Sequence, residues 1–395
     1  MDVEKRTEAF VSRDGAAVTG QDGDETDNSS TLPPPMTTPY PEPTFDDRKA
    51  WITVVASSLT MFVYLGNVYS WGIMQVRLVE TTSSSLTTLT FVGSLATSFM
   101  ICFSILSDKI SVSTAPMSLF KKHKALAMGF VFGGGSLGSA IMSVVTNYLV
   151  KDLDVAWTFR ILGFILWGVS MPASYFLPSR KRLGNKSSRQ LQWYRFKQPR
   201  FLLLVGGTVL ACFPLFIPPY FIPIFSRSMG YSKEIGVIIL AAWNLASTLG
   251  RVVAGWVADS VLGPVESLAI CMLFMALSSL VVWPLSSSIG IFSIYLIFNG
   301  IGCGAFFSLT PIAVSSTFGG ENTLSIIPVV WTTWFCGFFF GTPIASGLYS
   351  LSGRSDGLEA FRPAAYYAGA MALAGFACVL GIRFTRSKPA PEEKV

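Results

Sequence analysis

A chain of 395 residues that is 51% hydrophobic and only 13% charged has too few polar side chains to coat a soluble globule of that size. Its net charge of +6 would suit a nucleic-acid partner, but the basic residues fall in short loops between apolar runs rather than on one polar face. Nucleic-acid binding is therefore excluded, and an all-α polytopic membrane protein surrounded by lipid is expected.

In chain order, residues 1–47 come first, with Asp2, Glu4, Glu8, Asp14, Asp22, Asp24, Glu25 and Asp27 ahead of Leu32-Pro33-Pro34-Pro35. That composition predicts a disordered acidic, Pro-rich tail with no assigned binding role. It lacks the basic stretch and short apolar core of a secretory signal, so the first span is expected to direct insertion.

Crossing the hydrocarbon core takes roughly 20 apolar residues in a helix, because lipid offers no partner to unpaired backbone groups. Ten stretches meet that demand, the first five being Trp51–Met74, Leu86–Leu106, Ala125–Leu149, Trp157–Leu177 and Phe201–Ile222. The other five are Ile235–Ala258, Leu268–Leu285, Ile289–Ala313, Ile326–Tyr349 and Ala365–Ile382. Four of the ten precede the basic segment Arg180–Arg200 and six follow it. Lys121, Lys122 and Lys124, the basic segment itself, and Arg383, Arg386 and Lys388 all fall on one side of the membrane in this layout. The positive-inside rule makes that side cytoplasmic, with both termini on it.

Several chemistries find no support. The six cysteines are scattered singly through apolar spans, and the lone His123 sits among lysines, so no metal centre or disulfide frame is indicated. The sequons at Asn28 and Asn185 map to the cytoplasmic side, out of reach of glycosylation. Neither a Ser/His/Asp set nor a phosphate-cradling Gly-Lys-Ser loop can be assembled, so neither an enzyme nor a cofactor is expected.

An ionisable residue inside a span is a functional candidate by default. Arg251 lies deep in Ile235–Ala258 and shares a helical face with Asn244 and Ser247, at i, i+3 and i+7. Two roles stay open for it: binding an anionic substrate in an aqueous cavity, or latching helices through backbone carbonyls. Asn299 is a further polar candidate within its own span. Phe306, Trp331 and Trp334, with Trp243, Phe307 and Phe335, are candidates for an aromatic lining suited to a large, partly apolar organic acid.

Asn244 through Asp259, containing Gly250-Arg251 and Gly255-Trp256-Val257-Ala258-Asp259, resembles the eighth helix and following loop of the monocarboxylate porter branch of the major facilitator superfamily, particularly its fungal members. Lys121–Gly129 followed by Gly133-Gly134-Gly135-Ser136-Leu137-Gly138 is similar to the entry to that family's fifth helix. Phe159–Gly163 resembles the start of the sixth, and Gly341-Thr342-Pro343 with Gly347 the eleventh. The resemblance covers essentially all of Trp51–Arg386.

It implies two six-helix bundles with substrate held between them near the midplane. On that plan 48–178 is an N-terminal bundle, 179–200 a cytoplasmic central loop, 201–384 a C-terminal six-helix bundle and 385–395 a tail. The N-terminal bundle is then incomplete: Ser113–Pro116 resembles the last turn of a fourth helix, leaving no room between Asp108 and Lys121 for the third and most of the fourth. Gly255 and Asp259 match a loop motif that latches neighbouring helices, although Ser260 stands where a basic residue is usual. In the animal carriers of this branch a first-helix Lys and an eighth-helix Asp handle proton and carboxylate. Those positions fall here near Tyr69 and on Ser247, while the Arg is kept as Arg251.

The expectation is a secondary transporter of the major facilitator fold with four plus six helices, in the plasma membrane. Its substrate is expected to be a small organic anion or secondary metabolite, with efflux favoured slightly over uptake of a monocarboxylate or vitamin-like solute. Protons are a candidate co-substrate, and no obligate protein partner is indicated. The competing reading is a non-transporting sensor or degenerate relative, which the incomplete bundle favours.

Overall fold

The computed structural model describes residues 48–82, 84–102, 119–120, 123–176, 197–318, 323–353 and 357–385. The acidic tail, nearly all of the central loop and most of the segment between Asp108 and Lys121 lie outside the described residues.

Among those residues the chain is all helix. Before the central loop come α1 (Arg48–Tyr69), α2 (Trp71–Thr81), α3 (Leu86–Cys102), α4 (Lys124–Asp152) and α5 (Val155–Tyr175). After it come α6 (Pro199–Cys212), α7 (Ile217–Ser228), α8 (Lys233–Ser260), α9 (Pro264–Leu277), α10 (Ile289–Phe318), α11 (Thr323–Thr333), α12 (Phe335–Leu351) and α13 (Leu358–Gly381). Among the described residues nine helical stretches are long and apolar enough to cross a membrane, joined by the shorter apolar stretch Leu86–Phe99 within α3. This is a multi-pass membrane architecture.

Three expected spans are broken helices rather than straight rods. The first divides into α1 and α2 at Ser70, whose hydroxyl donates to the carbonyl of Gly66 at 2.6 Å. The fifth divides between Cys212 and Ile217, where Pro214 has no backbone donor and Pro218 and Pro219 open the first turn of the next helix. The ninth divides at Trp334. The seventh ends in a π turn over Ser278–Val282 and a 3-10 turn over Trp283–Leu285, with Pro284 inside the latter. The tenth starts seven positions earlier than the apolar run indicated, at Leu358. Its first turns carry Glu359 and Arg362, which pair at i, i+3 across 3.7 Å and so keep a charged segment helical.

At the centre α4 packs along both α1 and α8, and α10 lies against α8 and α9. Glycine brings α4 and α8 together: a β-carbon on Gly129 would sit 2.6 Å from the carbonyl oxygen of Arg251, and one on Gly255 would sit 2.5 Å from that of Ala125. Without a hydrophobic drive between helices in lipid, such close approach is the main source of interhelical attraction. It also carries Arg251 up to the α4 backbone.

The last helix before the central loop and the last helix after it differ in cover. Helix α13 packs on α6 and α9, whereas α5 packs on α1 and only lightly elsewhere among the described elements. In its most apolar stretch α5 is 11% buried against 39% for the stretch containing α13. Trp157, Phe164, Trp167 and Met171 accordingly face outward.

Candidate functional site

Arg251 is fully buried on the face of α8 that meets α4, α10 and the end of α1. Its Nη1 donates to the carbonyl of Phe132 on α4 at 2.6 Å. Its guanidinium carbon lies 5.3 Å from the ring centre of Phe307 and 5.8 Å from that of Phe132, within range of cation–π attraction. The Tyr69 hydroxyl faces the same guanidinium. Nε is buried without a hydrogen-bond partner, and among the described residues no carboxylate pairs with the group. The arrangement is a desolvated cation held between aromatic faces and beside a phenol hydroxyl, without a carboxylate among the described residues.

The expected α8 face is real but divides in use. Ser247 is buried and shares a hydrogen bond of 3.1 Å with Ser136 of α4, so it bridges helices one turn from Arg251. Asn244 turns its amide back on its own helix, donating to Leu240 at 3.1 Å. Tyr69, reached through the resemblance alone, does lie beside Arg251, and its ring packs against Phe216 at 5.4 Å and Trp243 at 5.8 Å.

Phe306, Trp331 and Trp334 form one aromatic group. Trp334 is 5.2 Å from Phe306 and 6.4 Å from Trp331, and it touches Phe307, which links the group to Arg251. The indole N–H of Trp334 is buried and unpaired, a donor aimed at nothing among the described residues.

Asn299 belongs elsewhere. Its Oδ1 accepts from Trp243 Nε1 at 3.1 Å, and its Nδ2 donates to Ser278 and Ser279 at 3.1 and 3.3 Å. All of these partners lie on α8 and on the turn that follows α9, so the amide ties those elements together. Asn299→Leu should cost about 1–3 kcal/mol by stranding the indole N–H and one or both serines. A lowered thermal midpoint in detergent, with flux retained in the folded fraction, is the expected outcome.

The sequence reading missed three contributors to this site: the Phe132 carbonyl, the Phe307 ring as a cation partner, and Ser136. Each belongs to a helix other than α8, and the only local signal was the run Gly133–Gly135 that lets α4 approach.

Asp259 occupies the end of α8. Its Oδ2 accepts from the backbone N–H of Leu126 at 2.9 Å and its Oδ1 from that of Ala125 at 3.3 Å. A carboxylate thus closes the first turn of α4, satisfying two free donors and the positive end of the helix dipole. Gly255, one turn before, permits the approach.

The family model for the Major Facilitator Superfamily matches residues 110–266 and 234–395. Among curated proteins, the chain is 24% identical over 347 residues to the "Aspyridones efflux protein apdF" of Emericella nidulans, covering 74% of this chain and 70% of that one. It is 26% identical over 225 residues to the "Agnestins efflux protein AgnL12" of Paecilomyces divaricatus, covering 57% of this chain and 52%, about half, of that one. The crystal structure of the human organic anion transporter MFSD10 (TETRAN) superposes with a TM-score of 0.52 at 10% identity, over 83% of each chain, a likeness of fold.

Proposed function

The chain belongs to the major facilitator superfamily, and on that premise we propose that it is a secondary transporter exporting an organic acid or acidic secondary metabolite across the plasma membrane by alternating access. The observation that carries this reading is Arg251, a fully buried cation with no carboxylate partner among the described residues and one unpartnered N–H. Burying such a charge is costly, and a ligand carboxylate that accepts from the fork would repay it. The neighbouring Phe307, Phe306 and Trp334 supply an apolar surface for the body of that ligand, and Tyr69 a hydroxyl. Export is supported by the names of the two fungal relatives, each an efflux protein for a secondary metabolite.

We place the chain in the monocarboxylate porter branch on its α8 motif. Ser247, where the animal carriers have an acid, spends its hydroxyl on Ser136, which supports anion binding without their proton relay. Asp259 closes the cytoplasmic end of the seam between α4 and α8, and its release opens the path to that side. Both termini are cytoplasmic in this scheme, following the basic loops.

The sparsely covered α5 supports a further part of the proposal, that a helical hairpin is missing between Asp108 and Lys121. In the second half α13 leans on α9, and α5 has no such neighbour among the described residues. Sequencing the transcript tests this: an additional in-frame segment is expected, and a message without one shows that the short form is made.

The export reading is tested in cells that make the candidate acid. Removing the gene should raise the intracellular acid and lower the extracellular acid, and equal partition in both strains would count against export.

A further inference from the structure

At the end of α8 opposite Asp259, a cavity of about 220 Å3 opens between α2, α4, α7 and α8. Its charged lining is Arg77 and Glu80 of α2, Lys151 of α4, Arg227 of α7, and Lys233 and Glu234 of α8, so four bases face two acids. Ile73 and Val237 contribute to an apolar wall on its inner side. Lys233 and Arg251 are 18 positions apart on α8, about 27 Å along the axis at 1.5 Å per residue, so this is not the Arg251 site.

Glu80 is the hub of the cavity. Its Oε1 pairs with Arg227, its Oε2 accepts from Lys233 at 2.7 Å, and Arg77 lies 3.7 Å from the same oxygen. Arg227 and Lys233 come from the second half of the chain and Glu80 from the first. These bonds therefore cross the seam that alternating access must open. All three side chains are partly exposed, with Arg227 and Lys233 near half, and ion pairs in that setting are individually weak and open to exchange.

We propose that this cavity is a second anion site, selective for a carboxylate with an apolar body, in which Glu80 is the built-in competitor. An organic carboxylate that takes Arg227 and Lys233 makes the same charge-assisted bonds as Glu80, lays its apolar body on Ile73 and Val237, and frees α2 from α7 and α8. Its use as the outer station of an export path rests on the transport reading, whereas its binding chemistry does not.

The test is benzoate binding by calorimetry to the full-length protein in nanodiscs, with methyl benzoate as the uncharged control. Glu80→Gln removes the competitor and should tighten one class of benzoate site about tenfold, the equivalent of about 1.4 kcal/mol. Joint Arg227→Gln and Lys233→Gln should abolish that class, and Arg251→Gln should leave it intact. The double variant decides the matter alone if Glu80→Gln does not fold, as judged by its melting curve. Unchanged benzoate affinity in folded Glu80→Gln, an undiminished site in the double variant, or equal binding of the methyl ester would each overturn the proposal. If Arg251→Gln removes no benzoate binding while the outer class behaves as described, the transport reading loses its inner site and this one stands.

Discussion

Arg251→Met should leave the purified protein at least as heat-stable as the parent and lower substrate flux by about 30-fold or more. The two halves of that outcome have one cause. The guanidinium is fully buried, donates to the Phe132 carbonyl beside the Tyr69 hydroxyl and leaves Nε unpaired, so its removal relieves a desolvated charge. Methionine is of similar length, and its sulfur sits well against the rings of Phe132 and Phe307. With substrate bound, the same substitution removes a charge-assisted hydrogen bond worth about 2 kcal/mol or more, which sets the fold-change. Arg251→Lys keeps the charge but not the planar fork or the ring stacking, and should fall between the two. A folded Arg251→Met protein with parental affinity for an anionic substrate would leave Arg251 only the helix-latching role.

Asp259→Ala should shift the conformational equilibrium toward the cytoplasm-open form by about 5- to 30-fold, the equivalent of about 1–2 kcal/mol. The figure is at the lower end for two hydrogen bonds to a carboxylate because Asp259 is exposed to solvent. The loss falls on one state alone, since Ala125 and Leu126 lose their shared acceptor only where α8 and α4 meet. Pulsed electron paramagnetic resonance between spin labels near the start of α4 and the end of α8 should report a larger open population. Asp259→Asn, which keeps an acceptor and loses the charge, should shift it less. Identical distance distributions in the three proteins would remove the latch from the mechanism.

The membrane-spanning plan was legible because it rests on a local quantity, the length of an apolar run. What that quantity could not contain were the breaks at Ser70 and Trp334, where the breaking residue is itself neither proline nor glycine. The early start of α13 was hidden by Glu359 and Arg362, whose charges read as a loop until the i, i+3 pair is seen. For the site, helical spacing sufficed to put Asn244, Ser247 and Arg251 on one face. It could not say that Asn244 bonds its own helix, or that Asn299 is spent on Trp243, Ser278 and Ser279. Both facts depend on partners distant in sequence or on a rotamer. The outer group around Glu80 escaped for the same reason: its members look like the ordinary charged ends of three spans, and only the fold brings them to one carboxylate.

Passage of a carboxylate through this chain by way of Arg251 is measured as flux into proteoliposomes, using candidate acidic metabolites from the producing cell. Saturable movement of at least one such acid is expected, lost in Arg251→Met and untouched in a folded Asn299→Leu control. No movement of any carboxylate by either this chain or a version with the Asp108–Lys121 hairpin restored would contradict it.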